Sequence, residues 1–86
     1  MDNQRLKKAI LEVIDAQIRN NDPPETKKTL IRLQESGCSE QEAIKLIGYV
    51  VASEVFAVFR DGRRYDESSY IAALMALPKL PWKKEA

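Results

Sequence analysis

The chain predicts an all-α fold of about four helices, with one long apolar helix at its centre. Three observations carry that reading. The stretch from Ser39 to Phe59 places Ile44, Ile47, Val51, Val55 and Val58 at steps of three and four, which lines them along one helical face. Helix punctuation recurs around it, in Asp22-Pro23-Pro24-Glu25, Ser39 with Glu42, Asp66, Gly37, Gly62 and Pro78. No convincing strand competes: the β-branched Val50, Val51 and Val55 sit inside a capped helical pattern.

The first helix is expected from about residue 3 to Arg19. Asp2 or Asn3 would cap it, and Leu6, Ile10, Val13, Ile14 and Ile18 recur at helical spacing. Asp15 and Arg19 stand four apart in the favourable order. Asn20, Asn21 and Asp22 are turn formers that stop it. The second helix is expected over 23–36. Asp22 would cap it, Pro23 would take the first helical position, where no N–H is needed, and Glu25 would complete a capping box. With only Leu30, Ile31 and Leu33 as clear apolar residues, it is expected to be short and half exposed. Gly37 is placed to end it in a left-handed conformation.

The central helix is expected over about 39–61. Ser39 and Glu42 form a reciprocal capping box, and Gly62 ends the helix. Leu46, Val50 and Ala57 make a second apolar strip, and Tyr49, Phe56 and Phe59 a third. A helix apolar on most sides is expected to be buried on most sides. The last helix is expected over about 67–77, capped by Asp66, with Tyr65 and Tyr70 at the positions of a hydrophobic staple and Pro78 as its stop.

The chain's 86 residues make one domain, residues 1–86, and a net charge of +1 gives no electrostatic footprint for nucleic acid or an anionic membrane. Lys45, Ser53 and Glu54 interrupt the central helix, so it is not a membrane span. No signal-type apolar stretch opens the chain, and its one cysteine, Cys38, cannot form an internal disulfide; both fit a cytoplasmic protein.

The absence of histidine removes Ser–His and Cys–His nucleophilic pairs and the commonest general base. One cysteine and no histidine cannot make a zinc site, three isolated glycines make no phosphate loop, and Asp61-Gly62 with Asp66-Glu67 lacks the alternating ligands of a calcium loop. No cofactor or metal is therefore expected, and the chain is not expected to be an enzyme. Cys38 precedes a helix N-terminus, where a thiolate is stabilised, but without an activating partner it is expected to be a packing residue. Glu54 is either a buried acid or a member of a solvent-facing strip with Gln41, Lys45 and Ser53; the second is expected.

Leu6, Asp15-Ala16-Gln17, Asn21-Asp22-Pro23-Pro24, Arg32-Leu33, Gly37-Cys38-Ser39, Glu42-Ala43 and Tyr70 before Ala73-Leu74 together resemble a family of small uncharacterised bacterial helical proteins, a domain of unknown function. The resemblance covers most of the chain and implies an all-helical bacterial cytoplasmic protein with no assigned activity. Members of that family carry histidines just after the first leucine and after the Glu-Ala pair; this chain has Lys7 and, near the second place, Lys45.

A non-enzymatic protein-interaction module acting as a homodimer is the expected function. Helices one, two and four cannot cover three apolar strips, and large exposed apolar patches are rare on monomers. Gly48 and Ala52, four apart, form a smooth groove for a close-approaching backbone or ring, from the same chain or a second one. The candidate interface is Gly48, Tyr49, Ala52, Phe56, Phe59 and Trp82, with a Pro81-Trp82 tail as the intramolecular alternative cover. The alternative function is a nucleic-acid-associated or regulatory protein using basic clusters at Lys27, Lys28 and Arg32 and at Arg60, Arg63 and Arg64.

Overall fold

Four helices follow one another in the computed structural model, which describes residues 3–62 and 64–80: α1 (Asn3–Asn20), α2 (Pro24–Glu35), α3 (Glu40–Asp61) and α4 (Glu67–Ala76). No strand occurs among the described residues. The all-α expectation and all four helices are therefore seen.

Local chemistry sets the ends. The Ser39 hydroxyl accepts from the Glu42 N–H at 3.1 Å, and the Glu42 carboxylate accepts from the Ser39 N–H at 2.9 Å. These bonds hold the Glu42 carboxyl below its ordinary pKa, the backbone bond at Ser39 first and the hydroxyl second. Gly62, at φ 63°, ends α3 in the left-handed conformation that glycine adopts without a Cβ penalty. After α2 the Cys38 N–H bonds to the Leu33 carbonyl and the Gly37 N–H to that of Gln34, the paired bonds of a Schellman motif, with Gly37 at φ 112°. Asp66 caps α4 by accepting from the Ser69 N–H, and the Tyr65 and Tyr70 rings meet at 6.1 Å, so the staple forms.

The start of α2 differs from expectation. Pro23, not Asp22, occupies the cap position in extended conformation, Pro24 takes the first helical position, and no side chain caps the helix. Proline supplies the extended φ and an absent N–H by itself, which leaves Asp22 no role there. Asp2, one of the two residues expected to cap α1, lies outside the described residues.

The larger correction concerns the centre of the fold. At 22 residues α3 is the longest helix, about 33 Å against a molecular extent of 36 Å, but it is not buried on most sides. It buries Ala43, Ile47, Val50 and Val51, all within its first twelve residues. Val55, Phe56 and Phe59 of its second half are exposed. The short α2 is as central: it packs on α1, α3 and α4, and buries Thr26, Thr29 and Leu33. The core is formed by Ile14, Leu33, Ile47, Val50, Tyr70, Leu74 and their neighbours, gathered from all four helices.

One long-range tether holds α4 to α2. The Arg32 guanidinium donates to the carbonyls of Leu77 at 2.9 Å and Leu74 at 3.1 Å. These carbonyls lie at the C-terminal end of α4, whose last turn carries no basic residue of its own.

Candidate functional site

Two clefts flank the exposed side of α3, one near each end. The first is a groove of about 300 Å³ between the N-terminal halves of α1 and α3. Gly48 and Ala52 lie along it, with Leu6, Leu11 and Tyr49 as apolar walls and Lys7 and Lys45 at its edge. The pairing of Leu6 and Ile10 with Ile44 and Gly48 here, and of Val13 and Gln17 with Val51 and Val55 further on, shows that α1 and α3 run parallel. Lys7 and Lys45 are thus brought to one groove.

Gly48 is partly used within the chain. A Cβ there would stand 3.4 Å from Ile10 Cγ2 and 3.9 Å from Ile14 Cδ1. The missing side chain therefore lets α1 approach α3 closely, and the groove is what remains on the outer side of that contact.

The second cleft, of about 260 Å³, lies at the other end, where α1, α3 and the start of α4 converge. Val13, Val51, Val55 and Val58 make its aliphatic wall, and Phe59, Tyr65 and Tyr70 contribute rings. Gln17 and Glu54 are its polar members. The Gln17 Oε1 atom is held in place from two sides: it accepts the Thr26 hydroxyl at 2.7 Å and the Tyr70 hydroxyl at 2.8 Å. Thr26 and Tyr70 are both buried, so this bridge satisfies two hydroxyls that would otherwise be costly inside.

Glu54 is not on the solvent strip expected for it. At 100° per residue it falls in the middle of the sector of about 100° that carries Ala43, Ile47, Val50 and Val51. Its side chain is half-buried and its Oε1 atom is shielded from solvent. The Tyr65 phenol is pushed up to about 12, first by burial and then by the negative charges of its surroundings: Glu67, Tyr70, Glu54 and Asp22. Tyr70 is raised too, by burial, against the lowering effect of its bonds with Thr26 and Gln17.

Of the candidate interface residues, Gly48, Tyr49 and Ala52 line the groove, Phe59 lines the second cleft, and Phe56 lies between them, outside both. Lys45, Gly48, Ala52, Phe56 and Phe59 fall within one helical sector of about 80°. Phe56 is 65% exposed and Phe59 82%. Trp82 lies outside the described residues. Thr26, Gln17 and Glu54 became visible only through tertiary contacts; the one sequence signal was Glu54's interruption of an apolar run.

The basic clusters are partly engaged by the fold. Arg32 is bonded to α4, Arg60 pairs with the adjacent Asp61 at 3.0 Å, and Arg63 lies outside the described residues. Lys27 and Lys28 are exposed on α2. Cys38 is half-buried against the core. Among the described residues no group of three or more His, Cys, Asp or Glu side chains could hold a metal ion, and no helix is long and apolar enough to cross a membrane.

No family model, curated protein or solved structure matches the chain.

Proposed function

We propose that the protein is a non-enzymatic helical interaction module that acts as a homodimer, and that the outer face of α3 is its contact surface. The observation that carries this reading is the set of large hydrophobic residues exposed along α3 and beside its groove with α1: Leu6, Leu11, Val55, Phe56 and Phe59. Single exposed apolar residues are ordinary, but a contiguous run of them marks a contact surface.

A second copy fits as occupant because the face complements itself. The groove along Gly48 and Ala52 lies on one half of α3, and the protruding Phe56 and Phe59 on the other. A twofold axis through Ala52, with the two α3 helices antiparallel, brings Gly48 opposite Phe56, four residues or about 6 Å on either side. The same axis brings Lys45 opposite Phe59. The single cysteine, Cys38, is compatible with the cytoplasm, where the resemblance to a bacterial family would also place the protein.

Sedimentation equilibrium at micromolar protein tests the reading. A mass of twice the 9.8 kDa chain is expected. Replacing Phe56 and Phe59 together by Ser should shift it to monomer with little loss of stability, because neither ring is in the core. Ile31→Ser, on an exposed position of α2, should leave the mass unchanged. A wild-type monomer across the whole concentration range would refute the proposal.

A further inference from the structure

The groove between the N-terminal halves of α1 and α3 is apolar along its length and basic at one end. From Lys45 to Ala52 it follows about 10 Å of α3, with Ile10, Leu11 and Tyr49 beside Gly48. Lys7 and Lys45, one from each helix, both line it, and both line the adjoining recess that also takes in Glu40 and Gln41. We propose that the groove binds a single-chain anionic amphiphile, a free carboxylate on a medium-length hydrocarbon chain, its head between Lys7 and Lys45 and its chain along Gly48 and Ala52.

Charge selects the head. Both lysines are exposed, and neither is paired with an acid among the described residues. From Asn3 to Leu11, α1 carries Arg5, Lys7 and Lys8 and no acid. On α3 the Glu42 carboxylate is bound in its own capping box. Among the described residues Glu40 is the one carboxylate lining the recess, and it stands against two ammonium groups, so this end of the groove stays positive. An organic cation would be repelled there. A neutral chain would gain from burial alone, whereas a carboxylate adds charge-assisted bonds to the two lysines.

Shape selects a single chain. Gly48 has no side chain, which brings Ile10 close and sets the floor of the groove, and Ala52 keeps the next turn shallow. Leu6, Leu11 and Tyr49 stand beside it as walls. A bilayer cannot enter a cleft of about 300 Å³ between two helices, and a net charge of +1 offers little attraction to an anionic surface, so the ligand is a free amphiphile. The homodimer would seat a Phe56 ring of the second copy in this same groove, so chain and ring exclude one another; that consequence alone rests on the homodimer reading.

Decanoate, kept below its micelle concentration, is titrated into the full chain and into the Phe56→Ser/Phe59→Ser double variant, with amide resonances read by NMR. The double variant lacks the rings of the proposed twofold contact, so binding is read there whether or not the wild type dimerises. Saturable shifts are expected at residues 6–11 and 44–52 in both, with decanoate binding at least about tenfold tighter than decylammonium. Butyrate, a head without the chain, should give no saturable shifts. Lys7→Gln with Lys45→Gln should erase the preference for decanoate; both positions are exposed, and circular dichroism checks that the helices remain. Ala52→Leu, which narrows the apolar end, should weaken decanoate by about fivefold, and Lys28→Gln on α2 should change nothing. Equal affinity for decanoate and decylammonium, a preference that survives loss of both lysines, butyrate binding as tightly as decanoate, or shifts centred on Val55, Val58 and Tyr65 would each overturn the assignment.

Discussion

Replacing Arg32 by Ala should destabilise the protein by about 2 kcal/mol. The guanidinium makes two charge-assisted bonds, at 2.9 and 3.1 Å, to the carbonyls that close α4. Fully buried, such bonds would contribute about 1.5–3 kcal/mol each. Arg32 is exposed, so water competes for the guanidinium and can reach the carbonyls once it is gone; about 2 kcal/mol for the two bonds together, below the sum of two fully buried ones, is appropriate. The loss is not negligible, because Leu74 and Leu77 are core residues and α4 is only 10 residues long. Its last turn has no other cation to complement the helix dipole. For a domain of this size, about 2 kcal/mol corresponds to a fall in Tm of about 8–16 °C. Arg32→Lys should lose about half as much, since an ammonium keeps the charge but not the planar fork. Lys28→Ala, on an exposed position of the same helix, is the control and should stay within about 0.5 kcal/mol of wild type. Urea denaturation followed by circular dichroism reads all three, with the m-value showing that the transition is comparable. If Arg32→Ala and Lys28→Ala are indistinguishable, the tether does not hold α4, and Arg32 returns to the basic surface that the sequence suggested.

Two further outcomes follow from the polar end of the bundle. Tyr70→Phe removes one of the two hydroxyls on Gln17 Oε1 but leaves the Thr26 bond in place, and should cost about 1 kcal/mol in the same denaturation assay; a neutral result would show the bridge to be dispensable. Tyr65 has a folded-state pKa raised to about 12 from 10.0, so its contribution to stability is complete below about pH 10 and is lost as pH rises toward 12. Its ring is half exposed and therefore partly screened, so the effect should be a modest fall in stability, accompanied by late tyrosinate absorbance that Tyr65→Phe diminishes, Tyr70 supplying the rest; ionisation of Tyr65 near pH 10 would contradict it.

What the sequence made legible was local. The Ser39–Glu42 box, the Asp66 cap, the Tyr65–Tyr70 staple and the glycine ends at 37 and 62 each involve residues within five positions of one another. Their chemistry does not depend on what the helix packs against. The buried face of α3 was not legible in that way. Its apolar residues form three strips of similar strength, and periodicity places them on the helix without saying which strip meets a neighbour. Arg32 looked like surface charge because its acceptors stand 42 and 45 residues away. The burial of Thr26 and Thr29 is not legible in the sequence, because a buried threonine is recognisable only with its partner, here Gln17 on another helix for Thr26. Glu54 escapes the sequence for a related reason: among three apolar strips a lone carboxylate reads as the wet side, whereas the fold turns it inward beside Val51, Val55, Val58 and Tyr65.

The unequal halves of α3 connect the fold to the proposed role. The first half is held by α1 and α2 through Ala43, Ile47, Val50 and the close approach of Ile10 to Gly48. The second half meets α1 and the start of α4 on its inner side and carries Phe56 and Phe59 on its outer side. A rigid, anchored helix presents side chains with little backbone entropy left to lose, which lowers the cost of a contact made there. Had these aromatic residues been placed on the loop after Gly62, ordering that loop would have opposed binding. Ile31 and Met75 show the contrast within the same molecule: both are exposed, but they lie singly on α2 and α4 and not along α3. The distinction between an exposed hydrophobic residue and a contact surface lies in continuity along an anchored helix, and the proposed contact on the outer face of α3 rests on that continuity.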